Sequence, residues 1–535
     1  MEKPLIKLEM LRCCNKRLLA LAIFLTTSLM LCGQITSHHA KRILFKANQK
    51  FDYGDYPHAL TMYLDLLLVD SMDAELNYKI GVCMFEDKKI REQSKKHFEK
   101  TSITKYPETN YYLGRLYHSE RNFDKAIDAF HSYMNYKKEK EHSVKEVEDL
   151  IEKCYYAKLQ IQHATDNEII VANMGDNINS EYSEYAPLIP AAEDALYFTS
   201  RRKNNTWNTV DALENYYEDI YVSYKNEDGT WKTPTMLDTV INSAYHDAAT
   251  GLSADGEKIL IYHTSEDHLH GHIYISELIN GKWTKPHRLD ANINSLRYNE
   301  TSACFSPDGE MIFFSSDREG GYGGKDLYSI KKAPNGRWAK PMNLGPTINT
   351  EYNEDAPFIH PRDSALYFSS EGHQNMGGYD VFKSYFDEAE HFGTPQNIGF
   401  PVNTVEDDIF FVLNVSGSTG YISSSRKKGS YGAYDIYRVN FAINNAPMSV
   451  YTIHCVDAVS NSVIKKIEIV ATDIEKKTLY GIFNSNQLSG KIILITKPNK
   501  EYTIAIQAPG YESLVIDNYL FYEELVHTFK LTKKQ

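Results

Sequence analysis

Three rhythms of apolar and polar residues divide the chain. After a basic start (Lys3, Lys7, Arg12, Lys16, Arg17), Leu18 to Leu31 is an almost unbroken apolar run that ends at Cys32-Gly33-Gln34. Between about residues 41 and 140 apolar positions recur at helical spacing within a longer period, because the small residues Ala47, Gly81 and Gly114 stand 34 and 33 positions apart. After residue 165 alternation replaces the helical pattern. Short apolar strands ending in Phe-Ser-Ser or a variant of it return there, each followed by Asp-apolar-Tyr, and the second element recurs at intervals of 53, 54, 54 and 55 residues. A last alternating region begins near Pro447, with strands predicted at Val450–Val456, Val463–Ala471, Lys491–Thr496, Tyr502–Gln507 and His527–Leu531.

The basic start and short apolar run are the layout of a secretory signal over residues 1–33, and the apolar segment is short for a membrane span. Gly33 suits cleavage. Leu29-Met30-Leu31-Cys32 is similar to a lipobox, which makes lipidation of Cys32 the alternative. No other stretch is apolar enough to cross a bilayer, so the mature chain is expected to be exported without a membrane-spanning helix of its own.

In the helical region the first copy reads Ala47, Gly54-Asp55-Tyr56, Ala59, Tyr63 and Leu67; the third reads Leu113-Gly114, Tyr117, Asn122-Phe123, Ala126 and Phe130. The second copy carries an extra residue before Ser94. These residues resemble the tetratricopeptide repeat. The resemblance implies a helical solenoid over 34–164, closed by a capping helix at Val144–Gln162. Its groove would bind protein segments through Tyr78, Tyr112 and Arg115; packing between repeats is the competing role for the same side chains.

The second repeat carries more signals. Trp231, Trp283, Trp338 and Phe392 each stand three residues before a proline, and Ile-Asn-Ser/Thr, or Val402-Asn403-Thr404, follows the fourth strand of each unit that has one. With Ser306-Pro307-Asp308-Gly309 and Gly320-Gly321-Tyr322-Gly323-Gly324, this pattern resembles the WD40-like propeller of TolB-type proteins over residues 165–442. Five copies imply five blades, with six the alternative. The fifth copy stops at its third strand, and an extra Ile178-Asn179-Ser180 lies ahead of the first, so the stretch Ile169–Ala172 is expected to complete the last blade. Residues 447–535, with Pro509-Gly510-Tyr511 after a strand, resemble the carboxypeptidase-regulatory-like β-sandwich. The expected architecture is therefore multidomain: a tetratricopeptide solenoid, a propeller and a sandwich.

Composition narrows the function. The 535 residues are 42% hydrophobic and 24% charged, which is the balance of a folded chain, and 39 tyrosines suit half-buried sheets. A net charge of −13 repels phosphate backbones and argues against nucleic acid as a partner. Cys83, Cys154, Cys304 and Cys455 are too scattered for a disulfide framework and read as buried thiols. There is no Gly-x-Ser-x-Gly elbow and no His-Glu-x-x-His pair. Gly323-Gly324-Lys325 lacks the hydroxyl residue of a phosphate loop, since Asp326 follows. Glu184, Asp247, Glu300, Glu354 and Asp407 recur blade after blade, as do Arg201, Arg318 and Arg426. Such repetition points to architectural ties. His268, His270 and His272 depart from the repeat and would line one side of an extended strand, a candidate zinc or copper site weighed against a polar loop.

The order of elements resembles Bacteroidetes envelope proteins, one of which belongs to the type IX secretion machinery. Many members end in an OmpA-type domain that is not found before Gln535. The resemblance implies a non-enzymatic adaptor in the periplasm, associated with the outer membrane and without cofactor, that organises outer-membrane β-barrel or secretion components. The alternative is a protein that binds or senses carbohydrate or peptidoglycan fragments through the propeller, on tyrosines such as Tyr322, Tyr379 and Tyr431.

Overall fold

The computed structural model describes residues 39–535, apart from 69, 137–141, 165–168, 204–205, 208–209, 212–214, 265–269, 363–364, 387–390, 443–447, 522–524 and 535. Two compact units divide at Ile151 and Glu152. Among the described residues no helix is long and apolar enough to cross a membrane, and Cys83, Cys154, Cys304 and Cys455 are free and buried.

The first unit is helical. It holds α1 (39–52), α2 (Tyr56–Leu67), α3 (Ala74–Glu86), α4 (Lys95–Phe98), α5 (Glu108–Ser119), α6 (Phe123–Met134) and the start of α7 (Val144–His163). Asp73 caps α3 by accepting from the N–H groups of Glu75 and Leu76. The periodic glycines have a packing reason: a Cβ on Gly81 would meet the Phe98 ring at 2.6 Å, and one on Gly114 the Phe130 ring at 2.5 Å.

The regular solenoid expected over 34–164 is corrected here. Where the second repeat should place its second helix, the chain makes a 3₁₀ turn at Arg91–Ser94 and the single-turn α4. The extra residue before Ser94 shifts the apolar face, and a tight 3₁₀ turn absorbs the shift. What remains is a few short helices locked by aromatic pairs, and the chain as a whole is predominantly β, 35% strand against 20% helix.

The second unit carries five small antiparallel sheets and a sandwich. The inner strands of the five sheets are Glu184–Leu188, Asp247–Leu252, Glu300–Phe305, Glu354–Ile359 and Asp408–Leu413. Each packs beside the next and the fifth packs beside the first, which closes a ring. Ile170–Asn173 pairs antiparallel with Asp435–Asn440 and is the outer strand of the fifth sheet, so the chain's earlier end closes its later one.

The repeated motifs are the fasteners of this ring. In Phe-Ser-Ser the aromatic (Phe198, Phe314, Phe368) is buried between sheets. The first hydroxyl ties neighbouring sheets: Thr199 accepts from the Ala249 N–H at 2.9 Å and Ser423 from that of Ala186 at 3.0 Å. The second hydroxyl stays at home: Ser200 donates to Glu184 at 2.6 Å and Ser370 to Glu354 at 2.6 Å. In Ile-Asn-Ser/Thr the buried amide imitates a strand partner. Asn242 accepts from the Ile220 N–H and donates to its carbonyl, and Asn179 does the same with Ile436 across the ring closure.

The sandwich stacks a three-stranded sheet (Ile492–Thr496, Ser449–Asp457, Val526–Leu531) on a four-stranded one (Thr478–Asn484, Glu468–Asp473, Glu501–Gln507, Leu514–Leu520). Alternate residues such as Ile453, Cys455, Ile469, Ile504 and Ile506 fill the core. Asn486 and Ser489 of this domain donate to Asp255 and Glu257 on a turn of the second propeller sheet.

Candidate functional site

Two layers of acids occupy the propeller end at which the inner strands begin. The first is the repeated one, and it is architectural. Glu184 accepts from Ser200, from the Ser180 N–H and hydroxyl at 2.7 Å each, and from Arg202 at 3.2 Å. Arg318 bonds Glu300 and the Ile293 carbonyl in the same way, and Arg426 bonds Asp408 and the Val402 carbonyl. The structural equivalents are thus Asp408 and Arg202, one residue beyond the Asp407 and Arg201 that the sequence repeat suggested.

The second layer lies at the positions flanking those acids, where the residue type changes from sheet to sheet more than it does in the first layer. Just before the third strand of each sheet stand Glu218, Gly271, Lys325, Tyr379 and Tyr434. Flanking the inner-strand acids are Tyr185, His246, Thr301, Asp355 and Asp407. β-Bulges in three inner strands aim these side chains: register breaks after Tyr185, Asp355 and Ile409, and Ala186, Ala356 and Phe410 take φ of 52°, 52° and 57°. A left-handed residue within a strand is strained by about 1–3 kcal/mol, and a phenylalanine there is an outlier.

Glu218 is fully engaged. It accepts from the Tyr185 hydroxyl at 2.7 Å, from the Arg201 Nε at 3.0 Å and from the second guanidinium nitrogen, and pairs with His246 Nδ1. Burial alone would raise its pKa, but the His246 hydrogen bond and the Arg201 charge outweigh burial and hold it at about 2. Asp355 pairs with Lys325 and accepts from Thr301 at 3.1 Å and from Ser302; despite its burial, the Lys325 charge keeps it ionised at lower pH than usual. Asp407 accepts from the Tyr434 hydroxyl at 2.7 Å.

Convergence follows from Tyr262. Half-buried in the second sheet, where desolvation pushes it up to about 12, it also feels the charges of Glu218 in the first sheet and Asp355 in the fourth. Groups on separate blades of a ring share such a neighbour only near its axis. Tyr379 likewise lies under the influence of Asp355 and Asp407, with the Lys325 ammonium 6.0 Å from its ring, and burial raises its pKa strongly. Neither the Tyr262 nor the Tyr379 hydroxyl makes a hydrogen bond among the described residues, whereas the acids around them are satisfied. The result is an axial mouth lined by fixed ion pairs and two open hydroxyls. At its rim Tyr322 and Tyr431 are 52% and 49% exposed. Their backbone N–H groups are held at 2.7 Å by Asp326 and Asp435, which anchors the loops that carry them.

The other candidates serve packing or fall elsewhere. Tyr78 stacks on Tyr106 at 4.6 Å, buried Tyr112 stacks on Phe98 at 5.0 Å, and Arg115 lies over the Phe85 ring at 5.4 Å. His272 pairs with Glu300 at 3.1 Å and His263 with Asp247 at 2.7 Å, both doing the work that Asp or Ser does in other blades. His270 is half-buried, and His268 and Cys32 lie outside the described residues. Among the described residues no group of His, Cys, Asp and Glu is arranged to hold a metal ion. The sequence reading missed Glu218, Asp355, Lys325, Tyr185 and Tyr262. The available signal was variation at fixed offsets from a repeated acid.

No family model and no curated protein matches the chain. Among solved structures it is similar to an endo-arabinase from Bacteroides thetaiotaomicron, at 14% identity over 50% of this chain and 97% of that one, with a TM-score of 0.34. A xylan β-1,4-xylosidase from Bacillus halodurans aligns at 9% identity over 66% and 94%, TM-score 0.32. The β-propeller domain of the trilobed protease from Pyrococcus furiosus aligns at 9% over 64% and 85%, TM-score 0.23. These findings correct two expectations, the non-enzymatic protein-binding adaptor and the absence of enzymatic activity, because the aligned structures include propeller glycoside hydrolases. At such identities and TM-scores the likeness carries no assignment of activity, and what this chain does is argued from its own residues.

Proposed function

We propose that this chain, exported by its N-terminal signal, binds carbohydrate at the axial mouth of the propeller. The observation that carries the reading is the pair of open hydroxyls, Tyr262 and Tyr379, set among carboxylates already neutralised by Arg201 and Lys325. A sugar presents many hydroxyl groups and apolar C–H faces. It is matched by preorganised donors and acceptors in a half-buried mouth and by flat aromatic rings at the rim. Because Glu218 and Asp355 are each paired with a cation, the mouth suits a neutral oligosaccharide better than an ion.

The test is a glycan array, peptidoglycan fragments included, followed by calorimetry on the best ligand. Tyr262→Phe and Tyr379→Phe each remove one hydroxyl and keep the ring, and each should weaken binding about tenfold, the worth of a well-formed hydrogen bond. Unchanged affinity in both variants, or an array without binding, overturns the reading.

A further inference from the structure

The opposite end of the propeller axis holds a cavity of different chemistry, open to solvent on one side. The far ends of the inner strands and their turns enclose it, with Pro187, Pro307, Pro357, Phe305, Phe358 and Phe410 among the walls. Among the described residues no charged side chain lines it. Three polar side chains do, and two are occupied. Ser306 donates to Asp308 at 2.5 Å, and Asn414 is held by Thr419, Ser418 and Glu193. The third is Thr250, 5% exposed, whose Oγ1 has no hydrogen-bond partner among the described residues.

A buried hydroxyl without a partner costs about 1–3 kcal/mol unless something meets it. The bulge between Ala249 and Gly251 places Thr250 in the inner strand of the second sheet. From these observations we infer a second binding site that takes an uncharged, ring-shaped apolar molecule bearing one hydroxyl, of the phenol class. Proline and phenylalanine walls pack flat against a ring, the Thr250 hydroxyl meets the ligand's single polar group, and the uncharged lining excludes ions through their desolvation cost. The site is separate in place and chemistry from the polar mouth, so either can fail without the other.

The probes are p-cresol, toluene and p-hydroxybenzoate, titrated into the full mature chain and followed by NMR line shifts. Binding of p-cresol is expected, with toluene about tenfold weaker and p-hydroxybenzoate without detectable binding. Thr250→Val keeps the shape and removes the hydroxyl, and should abolish the preference for p-cresol over toluene while leaving toluene binding unchanged. Equal affinity for p-cresol and toluene in the unaltered protein, a preference that survives Thr250→Val, or no binding of any probe overturns the inference. The comparison of three probes on the unaltered chain stands even if the variant does not fold.

Discussion

Substituting Gly432 by alanine probes whether the ring is fastened where the first sheet meets the fifth. Gly432 belongs to the loop before the third strand of the fifth sheet, and a Cβ there would lie 1.5 Å from the carbonyl oxygen of Tyr182. Real Cβ atoms essentially never approach another heavy atom within 3.0 Å, so the backbone entering the first sheet must retreat by about 1.5 Å. Two residues later the Glu184 N–H donates to the Tyr434 carbonyl at 2.9 Å, and the Ser180–Glu184 bonds lie in the same segment. Overpacking costs about 1–3 kcal/mol, and each strained hydrogen bond adds about 1 kcal/mol. Gly432→Ala should therefore cost about 3–4 kcal/mol, a Tm lower by about 4–5 °C for a unit of this size. Scanning calorimetry would read it against two controls. Gly429→Ala, at φ +78° with nothing within 4 Å, should cost only about 1–2 kcal/mol of left-handed strain. Gly393→Ala, with its nearest neighbour at 3.7 Å, should change little. If Gly432→Ala melts together with Gly393→Ala, the two sheets are not packed as described and the closure argument fails.

Repetition made the propeller legible. Phe-Ser-Ser, Asp-apolar-Tyr and Ile-Asn-Ser/Thr each perform one hydrogen-bonding task per sheet, so their residues are spelled the same way each time, and the extra Ile178-Asn179-Ser180 marked the strand that completes the fifth sheet. The site was not legible for the complementary reason. Glu218, Lys325, Tyr379 and Tyr434 share one structural position, filled by an acid, a base and two tyrosines, so a search for one recurring residue passes over it. The offset between Asp407 and Asp408 shows how local the difficulty is. Two acids stand side by side; one is the tie to Arg426 and Thr404, the other faces Tyr434, and only the register of the inner strand separates them. In the helical unit the repeat pattern misled because Gly81 and Gly114 satisfy a local packing need that short helical pairs share with true solenoids. The single extra residue before Ser94 was the sign that the stacking would break there.

Two further outcomes follow from the fasteners. Ser423→Ala leaves the Ala186 N–H without its partner and should cost about 1–3 kcal/mol in denaturant unfolding. Ser369→Ala removes a buried hydroxyl that has no partner and should cost nothing; equal losses in both would refute the assignment of the first hydroxyl as an inter-sheet tie. The last outcome concerns Asp380. In the third and fifth sheets both carboxylate oxygens of the corresponding residue are used: Asp326 accepts from the Tyr322 and Gly323 N–H groups, and Asp435 from those of Tyr431 and Gly432. Asp380 accepts from Met376 and Asn397 through Oδ2, but its Oδ1 is unpartnered. Burial raises its pKa to about 8, so the folded chain holds a proton there that the unfolded chain releases near pH 4. A raised folded pKa stabilises below the unfolded value, and that contribution is lost as pH climbs through the folded one. Stability should therefore fall between about pH 4 and pH 8. Asp380→Asn keeps one acceptor oxygen, cannot ionise, and should flatten that fall, leaving the variant more stable than the unaltered chain at pH 8 by about 1–3 kcal/mol. Parallel pH profiles for the two proteins would show that Asp380 is ionised in the fold and that its second oxygen is satisfied after all.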